Sequence, residues 1–249
     1  MTGAIEAAAA LVAGAHSVVV FTGAGMSAES GVPTFRDDLT GLWARFDAER
    51  LATPEAFHAD PDLVWGWYEW RRSRARRAEP NAGHRAVAAL EAAVPGTTVV
   101  TQNVDDLHER AGSAAPNHLH GSLFAPRCIG AGAHPAVFPD AEEPQEGRRL
   151  APPRCDACGA LVRPGVVWFG EALPEEALRA AVAAAASCDV LLTVGTSGVV
   201  YPAAEIPRIA ARAGAAVVQV NPDPTPLDAV STLNLRGTAA TILPALVPV

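Results

Sequence analysis

Two histidines sit two residues apart in the stretch His118-Leu119-His120-Gly121. On an extended segment residues i and i+2 share a face, so both rings reach the same side of the chain. Imidazole titrates near neutrality and is the usual general base. No serine or cysteine stands in a nucleophile elbow. Such a base would therefore activate a hydroxyl of a substrate or cofactor.

Gln102, Asn103 and Asp105 follow the β-branched run Thr97–Thr101. Amides at the carboxyl end of a strand can hold a carboxamide, and a carboxylate accepts from ribose hydroxyls. A polar strand end with helix-capping aspartates accounts for the same residues. Gly23, Gly25 and Ala28 fit the G-x-G-x-x-G/A spacing of a dinucleotide loop. Glycine there lets backbone N–H groups approach a pyrophosphate, and the positive end of a following helix would add to the attraction. The acidic partner of an ordinary Rossmann fingerprint is not apparent at its usual offset. The loop continues to Phe35 and Arg36, placed to cover or clamp a nucleotide.

Tyr68 and Arg71 are three residues apart, hence neighbours on a helix face. A guanidinium beside a phenol suits a carboxylate, since arginine can pair with it bidentately and tyrosine adds an O–H donor. By residue type alone, Arg71 equally begins the run Arg71, Arg72, Arg74, Arg76 and Arg77, a solvated helix face. Cys155-x-x-Cys158 followed by Gly159 looks like half of a zinc ribbon, with Cys128 upstream and Ala131 where its mate would stand. The fourth ligand is then His134, a carboxylate from Asp140 to Glu143, or water, unless the metal has been lost. Cys188, after a helical segment, reads as core.

The elements that must position these groups alternate. A helix over about Ile5–Ala13 precedes the apolar run Ser17–Phe21, and similar runs recur at Thr97–Thr101, Val190–Val194 and Ala216–Val220. Helical patterns lie at Gly83–Ala93, Glu175–Ser187 and Ala203–Ala213, with Pro174 and two glutamates starting the second. Continuous apolar strands between helices predict an α/β fold whose parallel sheet is covered on both faces. Residues 37–79, helical from Pro61 to Arg77, and the Pro-, Gly- and Cys-rich stretch 127–164 break the alternation and read as insertions.

With 249 residues and 49 % hydrophobic content, the chain can bury a full core. A net charge of −8 argues against broad binding to nucleic acid or anionic membranes. No apolar stretch approaches a bilayer span. The apolar segment Ala7–Ala15 lacks a preceding Lys or Arg and reads as a first helix, giving a cytoplasmic chain.

The motifs GAGMSAESGVPTFR, TQNVDDLHERAG, HLHG, CDACG, VVWFGE and GTSGVVYP stand in the order and spacing of the sirtuins, over nearly the whole chain. The resemblance implies a Rossmann-like NAD-binding domain (1–36, 79–126 and 165–249) with a small domain of a helical module and a zinc module (37–78 and 127–164). It implies cleavage of the nicotinamide–ribose bond of NAD⁺ and transfer of a lysine acyl group to ADP-ribose, yielding O-acyl-ADP-ribose. His120 matches the catalytic base, with Asn103 and Asp105 beside it. Gly23, Ala24, Gly25, Ser27, Ala28, Glu29, Phe35 and Arg36 match the cofactor loop, and Gln102, Asn103, Val104 and Asp105 the nicotinamide and ribose contacts. Gly195, Thr196 and Ser197, then Asn221, Pro222, Asp223 and Ala239, resemble the later cofactor turns. Val167, Trp168, Phe169, Gly170 and Glu171 resemble a strand that pairs with substrate peptide by β-augmentation.

Tyr68 and Arg71 resemble the Tyr-x-x-Arg of sirtuins that remove succinyl, malonyl and glutaryl groups, and Ala52 the small residue that leaves room for them. The expected partners are acylated-lysine proteins or peptides, with no nucleic acid and no membrane, and the chain is expected to be a monomer. Structural zinc on Cys128, Cys155 and Cys158 completes the expectation. The alternatives are a deacetylase without carboxylate preference, an ADP-ribosyltransferase or NAD⁺ hydrolase, and a non-catalytic NAD⁺-sensing or nucleic-acid-binding module.

Overall fold

The computed structural model describes residues 2–32, 48–130, 134, 136 and 147–247. Its central strand is β1 (Val18–Thr22), buried at every position. Val18 and Val20 pack on one face of the sheet, Val19 and Phe21 on the other, as the two-residue period of a strand requires. On one side β1 pairs with β2 (Thr97–Thr101), and β2 with the two-residue β3 (Asn117–His118). On the other side it pairs with β6 (Val190–Val194), followed by β7 (Ala216–Val220) and β8 (Leu233–Leu235). All these pairings are parallel, giving the order β3-β2-β1-β6-β7-β8.

Helices cover both faces, as parallel strands demand. α1 (Thr2–Ala13) and α5 (Ala82–Ala93) pack on one, with α9 (Ala239–Ile242). α7 (Glu175–Ser187) and α8 (Ile206–Arg212) cover the other. β1 has β2 on one side and β6 on the other, so the strand order reverses there. A ligand crevice opens at such a switch point, beyond the carboxyl ends of the strands.

The short helices α2 (Ala48–Leu51) and α3 (Pro54–Ala59) lead into α4 (Pro61–Arg77). The Asp60 carboxylate caps α4 by accepting from Leu63 N–H, with Pro61 in the first turn. Trp67, Tyr68 and Trp70 of α4 form a second core with Ala52, Phe57, Leu123, Val166 and Trp168. Truncating a fully buried Trp67 to Ala would cost about 3–5 kcal/mol. This core joins α2–α4 to the antiparallel pair β4 (Gly121–Cys128) and β5 (Val162–Val166). The domain limits expected at 126/127 and 164/165 therefore cut through these two strands. α6 (Leu107–Ala111) follows β2. Among the described residues no helix is long and apolar enough to cross a membrane.

Candidate active site

Among the described residues, those predicted for the cofactor follow the carboxyl ends of β1, β2, β6, β7 and β8. The turn after β1 lies against the turn after β6: Gly23 N–H donates to Val194 at 2.9 Å and Gly25 N–H to Gly195 at 2.8 Å. A Cβ on Gly195 would lie 2.5 Å from the Gly25 carbonyl carbon, and Gly195 has φ +58°. Only glycine permits that approach. Two single-turn 3₁₀ segments follow, Ala24–Met26 and Ala28–Ser30, in the place of the helix expected after the loop. Gly31, left-handed at φ +80°, ends the second, so the loop presents turn N–H groups rather than a long helix dipole. Ala28 and Glu29 are exposed, and the Glu29 carboxylate accepts from Ala240 N–H beside Ala239. Phe35 and Arg36 lie outside the described residues.

Gln102 spans the floor: its N–H donates to Thr22 and its amide to Thr196 Oγ1, both at 2.9 Å. Asn221 donates to the Thr196 carbonyl at 2.9 Å, while Ser197 is half-buried and Pro222 and Asp223 are exposed. Asn103 donates to Ser27 Oγ at 3.1 Å. Asp105 is buried, and burial pushes its carboxyl up against hydrogen bonds from Leu107 N–H and Ser27. Its side chain accepts from Leu107 N–H just ahead of α6, but the N-cap residue is Asp106, whose side chain makes no capping bond. Val104 accepts from Leu123 N–H, tying the loop to β4.

His120 Nδ1 lies 3.0 Å from the Gln102 carbonyl, an acceptor. The proton therefore sits on Nδ1 and Nε2 carries the free lone pair. Burial pushes this imidazole down, opposed by the Gln102 carbonyl, so it stays neutral around pH 7.

A buried histidine pair under the loop was not singled out in the sequence. His84 Nδ1 accepts from Asn81 N–H, which leaves Nε2–H facing Ser27 Oγ at 3.4 Å. His108 stacks edge-on to His84 at 5.0 Å and meets Thr22 Oγ1. Burial pushes His84 down to about 4 and His108 to about 3. The one available signal was Asn81 three residues ahead of His84, a capping-box spacing with His in place of Glu.

Arg74, Arg76 and Arg77 are exposed, as a solvated face should be, but Arg71 and Arg72 point inward. Arg72 is buried and pairs with Glu69 at 2.5 Å. Arg71 is half-buried as a residue, with its Nη1 shut off from solvent. Its guanidinium stands 5.0 Å from the Trp67 ring centre and 5.6 Å from that of Tyr68. The Tyr68 hydroxyl accepts from Arg71 and from Trp168 Nε1 at 3.1 Å, which leaves its own proton to donate. Burial holds this phenol up at about 12, against the pull of Arg71. Ala52 is buried in the same cluster.

The segment 167–171 is not the strand expected. β5 ends at Val166, and the next N–H groups are taken by Val167 to His120, Phe169 to Ala52, and Trp168 to the Glu171 carboxylate. Gly170, at φ +86°, turns the chain. Glu171 also receives two bonds from Arg163, at 2.5 and 2.9 Å, and that guanidinium lies 3.4 Å from the Trp168 ring centre. Glu171 thus faces inward and braces Trp168.

Cys128, His134, Cys155 and Cys158 bring their ligand atoms within 4.8 Å of one another. Cys128 and Cys155 Sγ lie 3.5 and 3.7 Å from His134 Nδ1, and Cys158 Sγ lies 3.9 Å from Cys128 Sγ. A tetrahedron of Zn–S bonds near 2.3 Å has edges of about 3.7 Å, so the donor set fits zinc. His134 places its Nδ1 where a fourth ligand would stand; Asp140 to Glu143 lie outside the described residues.

Residues 23–202 match the family model described as "Sir2 family". The chain belongs to the Sir2 family. It is 61 % identical over 243 residues to "NAD-dependent protein deacylase 1" of Pseudomonas aeruginosa, covering 97 % of each chain. An NAD-dependent protein deacylase of Methylococcus capsulatus is 60 % identical over 235 residues, 93 % of this chain and 91 % of the relative. Among solved structures, a Sir2 homolog–NAD complex superposes with TM-score 0.89 at 45 % identity, over 97 % of this chain and 92 % of the other. A Sir2–p53 peptide–NAD⁺ complex does so with TM-score 0.82 at 32 % identity, over 94 % and 93 %.

Proposed function

We propose that this chain is an NAD⁺-dependent protein-lysine deacylase that prefers acyl groups ending in a carboxylate. The observation that carries the preference is Arg71, enclosed beside Tyr68 in an apolar cluster with Ala52 and Trp168. A guanidinium beside a phenol with a proton to give is a donor pair whose geometry suits a carboxylate, which arginine can hold bidentately. A succinyl, malonyl or glutaryl carboxylate would take the Arg71 donors and the Tyr68 proton, whereas an acetyl group offers neither. The relatives named as NAD-dependent protein deacylases support the coarser activity.

NAD⁺ supplies a cleavable nicotinamide–ribose bond and an ADP-ribose acceptor. The loop Gly23–Glu29 with Gly195–Ser197 holds the phosphates, and Phe35 and Arg36 are assigned to the same cofactor by residue type. Gln102, Asn103, Val104 and Asp105 hold the carboxamide and ribose, and Asn221–Asp223 and Ala239 line the far end. His120 Nε2 takes the proton of a ribose hydroxyl. The segment Val167–Glu171 meets the peptide through its exposed Phe169 and Gly170, with Glu171 bracing it from inside. Zinc on Cys128, His134, Cys155 and Cys158 stabilises the small module rather than running chemistry. We keep the Rossmann-like unit at 1–36, 79–126 and 165–249, limits that divide β4 and β5 between it and the small domain, and read the protein as a cytoplasmic monomer.

The test is nicotinamide release with and without an acyl-lysine peptide. Release is expected to require the peptide and to vanish in His120→Ala. Equal release without peptide would replace the deacylase reading by an NAD⁺ hydrolase.

A further inference from the structure

The HLHG motif carries two histidines, and the proposed chemistry uses only the second. We propose that His118 is a positioning residue that works as an imidazolium, fastening the Asn103 turn to α6. His118 Nδ1 lies 2.9 Å from the Asn103 carbonyl and Nε2 lies 2.7 Å from Glu109 Oε1. A carbonyl and a carboxylate only accept, so both ring nitrogens must donate, and only the charged ring has two protons. In the neutral ring one of these contacts would set a lone pair against an oxygen.

Three elements meet on this one side chain: β3, the turn after β2, and α6. Fixing the Asn103 carbonyl fixes the peptide plane it shares with Val104, because the amide is planar. That plane sets the direction in which Asp105 leaves the turn. The facing charges come from α6, which brings Glu109 and His108, and from the turn, which brings Asp105. β2 brings Val100 and Thr101, neither of them titratable. α7 meets β3 through Asn117, whose amide donates to Ala177 at 2.8 Å, and its Glu175, Glu176 and Arg179 are exposed. His108, held neutral, adds no full charge beside His118.

Burial pushes the His118 ring down, but Glu109, the Asn103 carbonyl and Asp105 outweigh it and the net direction is up. Glu109 moves down despite its burial, as the partner of an ion pair should. His120, two residues on, moves the opposite way. Neighbouring groups driven apart in this manner take different roles. His120 must be neutral to accept a proton, and His118 must be charged to hold the turn. Activity is then bounded on the acid side by His120 and on the alkaline side by His118.

The pH window rests on the deacylase reading; the charged ring does not, so the test has two parts. Long-range ¹H–¹⁵N spectra of the wild-type imidazoles at about pH 7 are expected to show His118 with both nitrogens protonated. His118→Asn assigns the signal. A His118 ring that is neutral there overturns the proposal whatever the enzyme does. In the second part, kcat is followed against pH for wild type, His118→Asn and the charge-keeping His118→Lys. The Asn variant is expected to lose the alkaline limb and about tenfold in kcat, the size of one charge-assisted hydrogen bond, with KM for peptide unchanged. The Lys variant is expected to recover part of kcat. An alkaline limb unchanged in His118→Asn would overturn the positioning role. No turnover of any acyl peptide by the wild type would instead overturn the deacylase reading, leaving the spectra to decide the charge.

Discussion

Replacing Glu171 with Gln tests whether the loop after β5 is held from inside the protein. Arg163 gives Glu171 two bonds, at 2.5 and 2.9 Å, and gives the Val166 and Pro164 carbonyls one each. Gln keeps the shape but removes the charge and one acceptor, leaving a guanidinium only 9 % exposed without its counter-ion. Breaking a fully buried pair from one side costs about 3–5 kcal/mol. Glu171 is 22 % exposed, which brings the expected loss down to about 1.5–3 kcal/mol, the range for a hydrogen bond to a charged group. At about 2–4 °C per kcal/mol for a chain of this size, Tm should fall by about 3–12 °C.

The pH dependence adds a second readout. Burial pushes the Glu171 carboxyl up, but Arg163 and Trp168 N–H outweigh it and hold it low. A depressed carboxyl stabilises the fold fully above its unfolded value near 4.3, and that contribution is lost as pH falls through the lower folded value. The Tm gap between wild type and Glu171→Gln should therefore be full at neutral pH and close in acid. The variant should also loosen Trp168, the donor to Tyr68, and lower the succinyl-to-acetyl activity ratio. Thermal melts across pH give the first two results. A Tm within about 1 °C of wild type at neutral pH would refute the brace, since even the smallest expected loss lowers Tm by about 3 °C.

Arg71→Met should lower the succinyl-to-acetyl ratio of kcat/KM by about tenfold or more, since a hydrogen bond between charged groups is at stake; an unchanged ratio would remove Arg71 as the reader. Wild-type protein prepared without chelator should hold about one zinc per chain by elemental analysis. His134→Ala should hold less, and full retention would move the fourth ligand elsewhere. Gly195→Ala forces a Cβ to 2.5 Å from Gly25, so NAD⁺ affinity by calorimetry should drop about tenfold or more with a lowered Tm. Wild-type affinity in that variant would show that the turns can part.

Strands buried over most of their length were legible from the residues. The runs Thr97–Thr101, Val190–Val194 and Ala216–Val220 fall on β2, β6 and β7 because a parallel strand covered on both faces is rich in apolar and β-branched residues, even where β2 begins at the surface with Thr97 and Thr98. α4 and α7 run from Pro61 to Arg77 and from Glu175 to Ser187, where proline marks each start. The edge strands β3 and β8, two and three residues long, carry too little pattern to read. Inside the arginine run, identity alone could not separate Arg71 and Arg72 from Arg74, because which face of α4 is buried depends on β4 and Trp168. Glu171 looked like an outward contact, and Arg163, eight residues earlier, turns it inward. His134 reaches the cysteines only because Cys128 exchanges backbone and side-chain bonds with it.

The acyl preference is tested most directly by NAD⁺-dependent turnover of matched acetyl-, malonyl-, succinyl- and glutaryl-lysine peptides by the wild-type protein. A charge-assisted hydrogen bond between an acyl carboxylate and Arg71 is worth about 1.5–3 kcal/mol, so kcat/KM for at least one dicarboxylic acyl peptide is expected to exceed that for acetyl by about 10- to 150-fold. Equal kcat/KM across the four peptides would contradict a site built around Tyr68 and Arg71 to read a terminal carboxylate.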